Sequence, residues 1–193
     1  MPPCIYSLSY YNSSCILLLL QNLIATRCHH FAKKALENGL LGRHNRLMIY
    51  FYGSLNSFRG IKNNNGSGSQ FVKVKPLYQE AIKALRDVVE VSPDNYQNKV
   101  FLLEAELYSF NKKHEQAQAK YDLAISSAKD LTYVHEEGLA CERAGVHYKK
   151  IGNVAEALAY FQRAKECYTR WGSDMKVESV QQQMSRLAQG GQV

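Results

Sequence analysis

Several absences narrow what this 193-residue chain does. Its five cysteines, Cys4, Cys15, Cys28, Cys141 and Cys167, form no C-x-x-C pair and are odd in number. Such usage suits a reduced, cytoplasmic chain better than a secreted disulfide framework. There is no G-x-x-x-x-G-K-[ST] loop to cradle phosphates, no kinase H-R-D or D-F-G, and no glycine-rich nucleotide box. No apolar run reaches the roughly twenty residues that cross a bilayer, so no membrane partner is expected. The strongly apolar run Cys15–Leu20 falls short, and no basic region precedes it, because the first Lys/Arg is Arg27. Residues 1–27 are expected to form an apolar, helical segment, with a cleaved secretory signal as the alternative.

Acidic residues are scarce early in the chain. Residues 1–75 hold nine Lys/Arg and one carboxylate, Glu37, whereas residues 76–193 hold fifteen Lys/Arg against sixteen Asp/Glu. The early cations are scattered singly, without a run or a reader motif. They read as a solvated face, and no nucleic acid is expected as a partner.

Metal and nucleophile patterns also fail on spacing. His135-Glu136-Glu137 begins like the zinc-protease H-E-x-x-H, but the position four after His135 is Leu139, so one ion could not be gripped by two imidazoles. Cys28-His29-His30 has no partner group at finger spacing. Cys141 and His147, six apart on one helix, point in well-separated directions and make no nucleophile–base pair. Paired carboxylates at catalytic spacing are missing as well. The chain is expected not to be an enzyme and to hold no metal or cofactor.

What is present is helical periodicity. Phe31, Ala35 and Leu36 share one face, as do Leu47, Tyr50, Phe51 and Leu55, and Asn38-Gly39 separates the two helices. Residues 28–62 therefore read as amphipathic helices. The stretch NNNGSGS (Asn63–Ser69) opens a flexible linker over residues 63–75. Beyond it, three segments repeat: YQEAIKALRDVVEVSPDN, HEQAQAKYDLAISSAKD and VAEALAYFQRAKECYTRW. They align Ala81, Ala117 and Ala157, spaced by 36 and 40 residues (117 − 81 and 157 − 117). Leu85, Tyr121 and Phe161 follow four residues on, and Val88, Ala124 and Ala164 three further. Small, large and small residues at such intervals form one helix face, on which a neighbouring helix can approach closely. A two-helix unit of this length is the mark of a solenoid.

The last unit, AGVHYKKIGNVAEALAYFQRA, resembles the tetratricopeptide repeat through Ala144-Gly145, Tyr148, Gly152, Ala157, Phe161 and Ala164. The middle unit keeps Tyr108 but has Ala105 for the close-contact glycine and Lys112 for the capping one. The first has only its second helix, followed by Pro93. The resemblance implies an all-α fold of antiparallel helix pairs stacked as a short solenoid over residues 76–193. A C-terminal capping helix is expected at Met175–Ala188.

Longer phrases are more specific. FYGSLNSF, SPDNYQNKVFLLEAEL, KYDLAISSAKDLTYVHEEGLACERAGVHY and CYTRWGSDMKVESV resemble the helical region of large microbial signalling proteins. In that family a kinase-like part and an AAA-type ATPase precede the repeats, and a histidine kinase or cyclase often follows. None of those catalytic motifs is in this chain. The resemblance implies a non-catalytic protein-interaction scaffold in signal transduction. The alternative is an intramolecular coupling segment of an ATPase or histidine-kinase signalling protein. By the same resemblance, a concave groove for a protein or peptide would be lined by Lys99, Leu102, Glu106, Ser109 and Phe110 in the middle unit. Leu139, Glu142, Val146, Lys149 and Lys150 would line it in the last. The open ends of so short an array also make self-association an expectation.

Overall fold

The computed structural model describes residues 42–62 and 68–190. The apolar segment at residues 1–27, the Cys28–His30 cluster, the Phe31–Leu36 face and Asn38-Gly39 lie outside the described residues. Among the described residues there are seven α-helices and no strand, so the fold is all-α. Two compact units divide the chain, Met1–Asp87 and Val88–Val193.

In the first unit, α1 spans Arg43–Lys62 and α2 spans Gly68–Val89, ending just beyond the unit. Leu47, Phe51 and Leu55 are buried on α1 as their spacing predicts, together with Tyr52 and Phe58. Phe58 meets Tyr78 edge to face, with ring centroids 5.4 Å apart. The linker expected over residues 63–75 is shorter than its composition suggested, because residues 68–75 already belong to α2. After Ser69 nothing breaks a helix until Pro76. That proline removes one hydrogen bond from a 22-residue helix, which continues past it.

The second unit contains α3 (Pro93–Phe110), α4 (His114–Asp130), α5 (Val134–Lys150), α6 (Val154–Trp171) and α7 (Asp174–Gly190). Each packs on the next, and α3 also touches α5. The repeat positions form its core: Ala117, Ala157, Tyr121, Phe161 and Ala164 are fully buried and Ala124 nearly so, and in the first unit Ala81 and Leu85 are fully buried too. Val88 is half-buried. Gly145 is there because a side chain would not fit. A Cβ at that position would lie 2.8 Å from the Phe161 ring. Gly138, two turns earlier on α5, faces Cys167 and Tyr168, with a Cβ at 3.0 Å from each.

Four helices of this unit end in the same turn. Lys113, Tyr133, Asn153 and Ser173 donate their backbone N–H to the carbonyls of Tyr108, Ala128, Tyr148 and Tyr168. The residue before each, Lys112, Thr132, Gly152 or Gly172, has positive φ and donates to a carbonyl three residues back. This is the Schellman closure, which satisfies carbonyls that the helix end leaves unpaired. The final helix starts one residue before the expected Met175, at Asp174, and runs to Gly190.

Candidate functional site

α3, α5 and α7 carry the buried charges of the second unit: Lys99, Glu106, Glu136, Glu137, Glu142, Arg143 and Lys176. Lys99 on α3 is 3% exposed. Its Nζ sits 2.6 Å from Glu136 Oε1 on α5 and donates to the Asn95 carbonyl at 2.8 Å. The rings of Tyr96 and Tyr133 flank the ammonium at 5.9 and 5.7 Å. Asn98 adds a donor to the same Glu136 carboxylate. Burial pushes Glu136 up, but Lys99, His135 and Asn98 outweigh it and hold the carboxyl below its ordinary value.

About two turns further along, Glu106 is 1% exposed. It accepts from Tyr121 Oη at 2.6 Å and Arg143 Nε at 2.9 Å, and Arg143 Nη2 reaches its second oxygen. This fork-on-carboxylate geometry is the strongest form of charged hydrogen bond. Burial alone would lower Arg143, but Glu106 overrides it and raises it. Burial, together with Glu106, drives the Tyr121 phenol well above its normal range. At the end of α3, Ser109 Oγ lies 2.7 Å from His147 Nδ1. On the far side of α5, Glu142 accepts from Tyr168 Oη at 2.8 Å and from Lys176 on α7.

These contacts correct the expected groove. Lys99, Leu102, Glu106, Ser109, Leu139 and Glu142 are buried and present little surface to a ligand. A polar side chain at a helix–helix seam must find its partner there, because water is excluded and an unpaired charge is costly. Here Glu106, Ser109 and Glu142 each find a partner on the helix two along, 34 to 38 residues away in sequence. Phe110 and Val146 are half-buried, and Lys149 and Lys150 are exposed. Only these four of the ten expected residues are open to a partner.

Glu136, Arg143, His147 and Lys176 were not anticipated as parts of this network. One signal for them was available: opposite charges recur 37 residues apart at Lys99/Glu136 and Glu106/Arg143, close to the repeat length. Glu136 and Glu137 do occupy the first turn of α5, where carboxylates suit the positive end of the helix dipole. Glu137 also pairs with Arg170 Nη2 at 3.0 Å. Burial raises the Cys141 thiol to about 12, which disfavours the thiolate.

No group of three or more His, Cys, Asp or Glu side chains that could hold a metal ion occurs among the described residues. No helix among them is long and apolar enough to cross a membrane. Comparison with protein-family models, curated proteins and solved structures finds no match for the chain.

Proposed function

We propose that α3–α7 form a tetratricopeptide-like array of antiparallel helix pairs, a non-catalytic scaffold that binds a protein partner in signal transduction. The observation that carries this reading is the recurrence of one geometry. The four helix ends share a turn, the repeat alanines and aromatics are buried together, and helices two apart exchange ion pairs at 37-residue separation. Gly138 facing Tyr168 while Gly145 faces Phe161 supports opposite directions for α5 and α6.

With six of the ten expected groove residues buried, four of them paired between helices, the partner would be met by Phe110, Val146, Lys149 and Lys150. Two lysines beside two apolar side chains suit a peptide that carries an acidic residue next to a hydrophobic one. Binding is tested by using the full chain as bait beside a Val146→Asp/Lys149→Glu bait of unchanged helical content. A partner held by the first and lost by the second supports the scaffold. Equal retention by both rules out this face.

The phrases shared with large signalling proteins favour a second reading, in which the natural partner is another domain of the same kind of protein. In that case the chain alone would capture nothing. Adding an AAA-type ATPase or histidine-kinase domain in trans would give weak binding sensitive to the same two substitutions.

A further inference from the structure

Away from the proposed groove, the surface of α4 and α6 holds a hollow of about 670 Å³, whose lining includes Lys129, Glu137, Arg163, Glu166, Cys167 and Arg170. Arg163, Cys167 and Arg170 follow at intervals of four and three residues, so they share one face of α6. Lys129 comes from the last turn of α4 and precedes Cys167 by 38 residues (167 − 129), the same separation that joins Asp122 to Tyr160.

The two guanidinium groups are held in place by neighbours on this surface. Arg163 stands over the Tyr160 ring, 5.3 Å from its centroid, and Tyr160 Oη is itself fixed by a 2.8 Å bond to Asp122. Arg170 Nη2 donates to Glu137 at 3.0 Å and reaches Cys167 Sγ at 3.2 Å. A guanidinium has five N–H donors, so Arg170 keeps others for a ligand. Glu166 accepts from Gln162 Nε2 at 2.9 Å. Lys129 and Arg163 are in no ion pair among the described residues. The lining therefore holds four cations, Lys129, Arg163, Lys165 and Arg170, against two carboxylates, Glu137 and Glu166, a net charge of +2 (4 − 2).

We propose that this hollow binds a phosphomonoester carried on a peptide side chain, a phosphoserine or phosphothreonine, with Arg163 and Lys129 as its principal contacts and Arg170 as a further donor. A phosphomonoester carries close to two negative charges near neutral pH and three acceptor oxygens, which matches the net charge of +2 on the lining and a fork of N–H groups. A single carboxylate would leave one cation unmatched. A volume in the range of ordinary ligand sites leaves room for residues flanking the phosphate. The carboxylates of Glu137 and Glu166 on the lining oppose a run of phosphates or an anionic lipid surface, so one isolated phosphate group fits best. Apart from Glu137 on α5, the lining comes from α4 and α6, and none of the proposed groove residues belongs to it.

The test uses the full chain and a fluorescein-labelled degenerate peptide library fixed at a central phosphoserine, with the serine library as control. Anisotropy is expected to show at least tenfold tighter binding of the phosphorylated library, displaced by millimolar inorganic phosphate. Arg163→Gln and Lys129→Gln should each weaken it at least tenfold. Both side chains are exposed, so circular dichroism and Tm should not change. Lys149→Glu, in the groove, should leave it intact. The proposal is overturned if neither library binds, if both bind equally, or if the double variant binds as well as the parent. Capture only by phosphatidylserine vesicles or by a single-stranded oligonucleotide overturns it too.

Discussion

α4 and α5 are neighbours of equal length with opposite characters. On α4 only Ala117, Tyr121, Ala124, Ile125 and Ala128 are buried, a single stripe of the kind that amphipathic spacing predicts. On α5 every residue from Glu136 to Gly145 is buried, charged ones included. α4 is held by area removed from water, which tolerates volume-conserving exchange. α5 is held in addition by ion pairs to α3 on one side and α7 on the other. Pairs of that kind add little over a well-packed apolar seam, yet they are severely penalised when half-removed. Pattern alone distinguishes a helix buried on one stripe from one buried all round poorly. The partners of its charges distinguish them well.

The sharpest way to break this contrast is to remove one charge from each helix. Arg143→Ala leaves Glu106 buried without its fork and is expected to lower the unfolding free energy by about 3–5 kcal/mol. Lys120→Ala on α4 removes a more accessible pair with Glu104, 2.6 Å apart, and should cost less than about 1 kcal/mol. Urea unfolding of both variants decides it, and similar losses would erase the distinction between the two helices.

A smaller effect lies in the turns flanking α4. Lys112 and Thr132 each adopt φ of 59°, where Gly152 and Gly172 stand at the corresponding turns after α5 and α6. A left-handed conformation costs a residue with a Cβ about 1–2 kcal/mol, and glycine gives back roughly 0.5–1 through the freedom of its unfolded chain. Lys112→Gly and Thr132→Gly should therefore each stabilise by about 0.5–1 kcal/mol, visible as a Tm rise of a few degrees. Gly152→Ala and Gly172→Ala should lower Tm by a similar amount. A fall in Tm for Thr132→Gly would mean that its side chain contributes more than its backbone loses.

The gentlest effect is on pH dependence, and it belongs to α5. Burial lowers the His135 imidazole below 6.5, although Glu136 pulls it partly back. The unfolded chain thus binds the proton first, and stability falls as pH drops below 6.5 toward the folded value. Glu136 is depressed below 4.5, so its contribution is present above that value and is lost as pH falls further. Denaturation midpoints between pH 7.5 and 3.5 should decline in two steps. His135→Gln should flatten only the upper step, and an unaltered upper step would assign it to another group.

Many of the buried positions in both units were legible from residue spacing. The alignment of Ala81, Ala117 and Ala157, with Leu85, Tyr121 and Phe161, identified side chains that are fully buried. It succeeds because close packing of helices leaves a periodic trace of small and large residues. Gly145 was equally readable, since the ring of Phe161 occupies the space a Cβ would need. The candidate site was less so. Lys99, Glu106 and Glu142 look like surface residues to any hydropathy pattern, and only the partner's position in space shows that each is neutralised. The start of α2 was missed for a local reason: Gly68 and Ser69 have linker composition but stand in the first turn of a helix whose later residues support it.

The ion pairs between α3, α5 and α7 also bear on how such an array could lengthen. Tandem duplication is the simplest route by which repeat genes grow, and it requires each unit to accept a copy of itself as its neighbour. In this chain the aligned positions Lys99 and Glu106 on α3 correspond to Leu139 and Val146 on α5. A duplicated α5–α6 unit would set a second Glu136 against Leu139 and a second Arg143 against Val146. Two charges that now neutralise their neighbours would then be stranded among aliphatic side chains. In the proposed array the units would thus not be interchangeable parts, and growth by simple copying would need compensating charges to arise with the first added copy.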